Sequence, residues 1–179
     1  FAKWGGVLRI PSFRGEPSLL AVTENSRAMA RFAKVCQECG LVPLVEPELL
    51  MDGCHSIETT YKVQKYIFSE LFYCLAQNDV ALEGMLLKPS FVLPGVDWGS
   101  EDDQDARLAA LKAAAYTLEL LENTVPPAVP GLFFLSGGLT DEYASVVLNA
   151  VNALPTKGPW RLSFSYGRGL QRAALHAWS

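Results

Sequence analysis

Histidine is scarce in this chain of 179 residues, with only His55 and His176, and positive charge is not in excess: 15 Lys and Arg stand against 19 Asp and Glu. The formal net charge of −4 provides no overall basic field of the kind nucleic-acid binding needs, so an anionic ligand must be held by local positive groups. No stretch is long and apolar enough to span a membrane, because Glu, Lys or Pro interrupts every long hydrophobic run. The opening Phe1-Ala2-Lys3-Trp4 has none of the features of a signal peptide. It lies inside a hydrophobic, strand-like run, which implies upstream sequence. Cysteine is sparse too. Cys36 and Cys39 have the C-x-x-C spacing of redox and zinc sites, but no second pair completes a zinc site and neither histidine falls at ligand spacing. Together with Cys54 and Cys74 they read as structural thiols in a reducing compartment, and no metal is expected.

Half of the residues are hydrophobic, and the length fits one domain with a substantial core. Residues 1–179 are therefore read as belonging to a single domain. Strand and helix signals alternate along it. Residues 2–10 read as a strand. Residues 24–38 read as a helix with Met29, Phe32, Ala33 and Cys36 on one face and Gly40 as its stop. Residues 41–46 form a second strand. Ser56 is placed to cap a long helix that turns Val63, Ile67, Leu71 and Cys74 to the core. A strand over residues 80–88, an acidic loop over 97–105 and an Ala/Leu-rich helix over 106–122 follow. Then come a strand at 132–135, a helix capped by Thr140, a strand at 162–165 and a helix at 169–178. This βα alternation points to a parallel sheet with helical crossovers. A doubly wound sheet and a barrel both fit it, but no G-x-G-x-x-G follows the first strand.

In a barrel the chemistry sits at the C-terminal strand ends, and these ends are unusual. Lys88 closes an apolar run just before Pro89. An apolar setting favours the neutral form of an amine, and a neutral amine can attack a ketone to form a Schiff base. A snorkelling or ion-paired lysine is the plainer reading. Glu46 and Glu48 share one side of the second strand, since side chains alternate along it. Paired carboxylates suit proton shuttling, though a solvated strand end carries them as well. Ser136-Gly137-Gly138 exposes backbone N–H groups beside a hydroxyl before a helix, which can cradle a phosphate. Gly167-Arg168 ends the last strand, and a guanidinium binds phosphate oxygens in bidentate fashion. On the first strand Lys3 and Gly5 share a face. An amine, two carboxylates, a second amine, a phosphate nest and an arginine together describe a Schiff-base enzyme acting on a phosphorylated ketone.

Several stretches, in order, carry a resemblance to the class I fructose-1,6-bisphosphate aldolases. They are Phe1-Ala2-Lys3-Trp4, Gly40 through Glu48, Asp52-Gly53, Leu86-Leu87-Lys88-Pro89, Val125 through Gly131, Phe134 through Gly138, Leu148-Asn149-Ala150 and Phe164 through Arg168. The resemblance implies a TIM (β/α)8 barrel, of which this chain holds about the last five βα units, and a homotetramer at full length. It implies reversible cleavage of fructose 1,6-bisphosphate to dihydroxyacetone phosphate and glyceraldehyde 3-phosphate, in glycolysis and gluconeogenesis or in the Calvin cycle. Lys88 resembles the Schiff-base lysine, Glu46 the general acid/base, Glu48 the carboxylate that tunes the lysine, and Lys3 a charge partner. Ser136, Gly137, Gly138, Gly167 and Arg168 are similar to the groups that hold a substrate phosphate. No cofactor or metal is implied beyond the covalent Schiff base.

The chain also departs from the family pattern. Gly5 stands where the family has an arginine that contacts substrate, which bears on the second phosphate. The resemblance places Phe1 at the fourth barrel strand, so residues 1–179 alone are expected to turn over little substrate. A truncated or degenerate aldolase serving as a non-catalytic binding scaffold, with a cytoskeletal or adhesin partner, is the alternative reading. A transaldolase fits the Leu-Leu-Lys-Pro and Ser-Gly-Gly contexts poorly. The cytosol is the expected compartment and a plastid the alternative, because Ser69-Glu70-Leu71-Phe72 and Lys88-Pro89-Ser90 look similar to plastid members.

Overall fold

A computed structural model describes residues 1–11, 17–99, 105–156 and 158–179, and in it strand and helix alternate five times. The elements are β1 (Ala2–Leu8), α1 (Leu19–Glu38), β2 (Pro43–Leu49), α2 (Ile57–Gln77), β3 (Leu86–Leu87), α3 (Ala106–Thr124), β4 (Gly131–Phe134), α4 (Asp141–Ala153), β5 (Arg161–Phe164) and α5 (Arg168–Trp178). Polar caps set several of the helix starts. Ser18, Ser56 and Thr140 each accept a first-turn N–H, from Ala21, Thr59 and Tyr143. Asp105 does the same for Arg107 and Leu108.

Some boundaries differ from the sequence reading. Helix α1 starts at Leu19, five residues before the expected start, because Ser18 caps it; Leu19 and Leu20 are exposed and so lack the apolar periodicity that would have marked them. Strand β2 runs on to Leu49, which puts Glu46 in mid-strand. Strand β3 is only two residues long. The apolar run before it is broken by a 3₁₀ turn over Leu82–Gly84, and Asp79 lies in the left-handed region at φ 52°. Most of the expected acidic loop lies outside the described residues.

Every strand pair is parallel, and the order in the sheet is β1-β2-β3-β4-β5. A doubly wound sheet reverses its order at a switch point. Here each strand lies beside its predecessor, the winding of a (β/α)8 barrel. The two faces of the sheet differ. Leu8, Val45, Leu87, Leu132 and Phe134 turn towards the helices and pack with Val22, Met29, Ile67, Phe68 and Leu121 into one core. Phe91 and Phe134 stack there at 4.4 Å between ring centroids. Burying such side chains supplies the main stabilisation, about 1.5–3 kcal/mol each. The opposite face carries Lys3, Gly5, Glu46, Glu48 and Phe133, by alternation along each strand.

Tyr166, just past β5, locks the strand to α4. Its buried hydroxyl donates to the carbonyl of Ala144 at 2.9 Å. Burial pushes the phenol up to about 12. An unfolded tyrosine ionises near 10, so this group's contribution to stability is complete below pH 10 and is lost as the pH rises through about 12. Tyr166→Phe should cost about 1 kcal/mol at neutral pH. It should also flatten the alkaline fall in melting temperature. An alkaline slope identical to the unsubstituted protein's would show that Tyr166 is not the titrating group.

Candidate active site

Three strands bring three charged side chains to one point. Lys88 follows β3 directly, and its amide donates to the Val45 carbonyl at 2.7 Å, which aligns it beside Glu46. Gly5 pairs with Glu46 from the other side. The Glu46 side chain therefore projects from the middle strand between lysines of both neighbours. Its Oε1 lies 2.8 Å from Lys88 Nζ and its Oε2 lies 2.6 Å from Lys3 Nζ. Side-chain exposure is 7% for Glu46 and 12% for Lys88, but 48% for Lys3. Two cations share one carboxylate in a setting that excludes most water. A charge so buried is tolerated because it is paired; removing one member leaves the other uncompensated. Chemically, this is an amine with a proton acceptor in contact and a second cation in reserve. Glu48, half-buried, follows on the same face, at the register position of Val7.

Gly5 belongs to this cluster through what it lacks. A Cβ built there would stand 3.0 Å from Glu46 Oε2, so a side chain at this position presses on the carboxylate.

The phosphate-type groups gather at the ends of β4 and β5. Ser136 is buried, and Gly137 and Gly138 follow at φ 56° and 90°, a left-handed pair that side chains disfavour. The Leu139 amide closes the turn onto the Ser136 carbonyl at 2.9 Å. Helix α5 begins against this turn: the Cβ position at Gly169 lies 3.8 Å from Ser136 Oγ. Gly167 stands at the α5 N-cap and makes no side-chain cap. The glycine turn after β4 and the start of α5 thus meet at one hydroxyl, and a glycine-rich turn beside a helix N-terminus has the composition of an anion cradle. The Arg168 side chain lies outside the described residues.

Sequence reasoning missed one group beside this cradle. Asp141 Oδ1 is buried without a hydrogen-bond partner, 4.0 Å from Arg172 Nη2. In the sequence Asp141 is only a first-turn acid suited to the α4 dipole, and nothing there announces that α5 will pack beside it. Among the described residues, no group of three or more His, Cys, Asp or Glu is placed to hold a metal ion. Among them, too, no helix is long and apolar enough to cross a membrane.

Comparison with known proteins gives this arrangement a family. The model of the glycolytic family, fructose-bisphosphate aldolase class-I, matches residues 1–179. The chain is 51% identical to the chloroplastic fructose-bisphosphate aldolase 2 of Arabidopsis thaliana, over 99% of this chain and 42% of that protein. It is 48% identical to the cytosolic fructose-bisphosphate aldolase 4 of the same plant, over 99% of this chain and 43% of that protein. Chloroplastic and cytosolic enzymes thus both stand among its relatives. The chain spans about half the length of the curated relatives it matches. Among solved structures it superposes on the fructose-bisphosphate aldolase of Plasmodium falciparum, in a complex with TRAP and a small molecule inhibitor, with a TM-score of 0.91 and 45% identity. That match covers 99% of this chain and 49% of that one. The five strands are accordingly an arc of a TIM barrel. By sequence and by fold, the chain belongs to the class I fructose-bisphosphate aldolase family.

Proposed function

We propose that residues 1–179 are part of a single catalytic barrel domain that reversibly cleaves fructose 1,6-bisphosphate to dihydroxyacetone phosphate and glyceraldehyde 3-phosphate. The observation that carries this is the Glu46 carboxylate bridging Lys88 at 2.8 Å and Lys3 at 2.6 Å. Glu46 takes a proton from Lys88, and the freed amine adds to the ketone carbon. The protonated Glu46 then donates to the departing hydroxyl, and the carbinolamine loses water to give the iminium. The iminium accepts the electron pair of the C3–C4 bond while the C4 hydroxyl gives its proton to an aspartate that the family resemblance places on the preceding barrel strands. This leaves an enamine and releases the aldehyde, and protonation and hydrolysis of the enamine free the ketone and return Lys88. Lys3 keeps a positive charge against Glu46 while the proton moves, and Glu48 tunes the same proton path. Ser136, Gly137, Gly138, Gly167 and Arg168 hold a phosphate away from the bond that breaks and so orient the ketone. In this reading the Schiff base on Lys88 serves in place of any cofactor or metal. The cytosol is the proposed compartment and a plastid the alternative, and the full-length protein forms a homotetramer.

A second reading, a non-catalytic scaffold, draws support from Gly5, which removes a side chain beside Glu46, and from the Plasmodium falciparum relative held in a complex with TRAP. The two readings separate in one experiment. The full-length protein is treated with dihydroxyacetone phosphate and borohydride, and its peptides are mapped by mass spectrometry. The enzyme reading requires a reduced adduct on Lys88. An unmodified Lys88 under saturating ketone would leave the scaffold.

A further inference from the structure

Lys88 lies just past the two-residue strand β3, where regular sheet bonding stops. The cause is local. Pro47, the next β2 residue in phase with Val45, lacks an N–H and cannot donate the following rung to the Lys88 carbonyl, whereas Pro89 turns to β4, its carbonyl accepting from the Leu135 amide at 3.1 Å. A reactive lysine at a loose strand end would wander from its proton acceptor. The structure holds it by other means.

Ser90 is buried at 5% exposure and bonds both backbone groups of one β2 residue. The Leu49 amide donates to Ser90 Oγ at 3.1 Å, and Ser90 Oγ donates to the Leu49 carbonyl at 3.4 Å. A hydroxyl supplies the donor and the acceptor that the missing rung would have supplied. The next two residues are held from the helix layer. Gln64 Nε2, on α2, donates to the Phe91 carbonyl at 3.3 Å, and the Val92 amide donates to Thr117 Oγ1, on α3, at 3.0 Å. Gln64 and Thr117 are 2% and 1% exposed. Buried hydrogen bonds of this kind are costly to leave unmade.

We infer that Ser90, supported by Thr117 and Gln64, is a positioning residue for the Schiff-base step, fixing Lys88 against Glu46 by completing the β2–β3 ladder with its hydroxyl. The inference rests on the aldolase reading of Lys88. The geometry states why Ser90 matters to that reading. Lys88 is tied to β2 on one side by its own amide, through Val45, and on the other by Ser90, through Leu49. Glu46 projects from β2 between those two anchor points. Removing the Ser90 hydroxyl frees one anchor and leaves the carboxylate, the amine and the phosphate cradle chemically intact.

The test uses the full-length protein and three measurements. These are the rate of borohydride-trappable adduct formation on Lys88 with dihydroxyacetone phosphate, the dissociation constant for inorganic phosphate, and amide hydrogen exchange at Leu49 and Val92. Ser90→Ala should slow trapping about tenfold or more, since displacements of an ångström in a reacting pair cost up to about a hundredfold. It should leave phosphate affinity within about twofold and speed exchange at Leu49. Ser90→Thr, which keeps the hydroxyl, should recover most of the rate. Thr117→Val should slow trapping less and speed exchange at Val92, and Thr117→Ser should reverse both. Trapping by Ser90→Ala at the unsubstituted rate would overturn the inference and leave the aldolase reading standing. So would a rate loss matched by an equal loss of phosphate affinity, or unfolding of both Ser90→Ala and Thr117→Val, because the bonds would then serve the fold at large. An unsubstituted protein that forms no adduct would remove the aldolase reading itself, and this inference with it.

Discussion

Lys88→Met in the full-length protein will form no reducible adduct with dihydroxyacetone phosphate, and turnover of fructose 1,6-bisphosphate will fall by roughly 10⁵-fold, the scale on which loss of a covalent nucleophile is felt. The protein will stay folded. Methionine matches the apolar stem of lysine and fills the same space between Leu87 and Pro89. Glu46 will keep a partner, because Lys3 Nζ stands 2.6 Å from its other oxygen. The melting temperature should therefore move by a few degrees only. Steady-state kinetics and a thermal melt on the same preparation check both halves. Residual turnover within about a hundredfold of the unsubstituted enzyme would remove Lys88 as the nucleophile.

Glu46→Gln carries the second large effect. The amide keeps the shape of the carboxylate and keeps one acceptor oxygen, but it neither takes a proton from Lys88 nor returns one to the carbinolamine. The loss should be about 10²–10⁴-fold in kcat, the usual worth of a positioned general acid/base. KM should change much less, since the proposed phosphate cradle at Ser136 belongs to β4 and its loop, two strands away from β2. Single-turnover trapping will show the delay before the iminium, not after it. A kcat within tenfold of the unsubstituted value, with trapping equally fast, would place the proton acceptor elsewhere, and Glu48 on the same face would be the next residue to test.

Both effects depend on how much company the charges keep. Glu46 is buried and shared, so its replacement alters two lysines together, whereas Lys3 is half-exposed and can turn to water. The same asymmetry explains why Gly5 counts. It leaves space beside Glu46 Oε2 that a side chain would press into, and the carboxylate leans into that space to reach Lys3.

Much of this was legible in the residues themselves. The strand-helix alternation follows from apolar periodicity and from caps such as Ser56 and Thr140, which are local signals. Glu46 and Glu48 share a face because strand parity puts them there. Gly137 and Gly138 announce a turn that only left-handed residues make comfortably. The misreadings were local as well. The run before Lys88 is apolar enough for a long strand, yet its residues are used in a 3₁₀ turn and a loop crossing, and the ladder shrinks to Leu86–Leu87. Leu19 and Leu20 open a helix while facing solvent, so they lack the periodicity by which a helix is recognised.

Composition, periodicity and turn chemistry by themselves determined an α/β chain with amines, carboxylates and a glycine-rich turn at its strand ends, because each depends on neighbours within a few residues. Only the tertiary structure decided that the sheet winds in one direction, that Glu46 lies between Lys3 and Lys88, and that the Ser90 hydroxyl ties β2 to the chain after Lys88 beyond the last regular rung. Those facts join residues more than forty positions apart. Strand order and register arise from burying one face of the sheet against all the helices at once, a condition that no short stretch of sequence can satisfy alone.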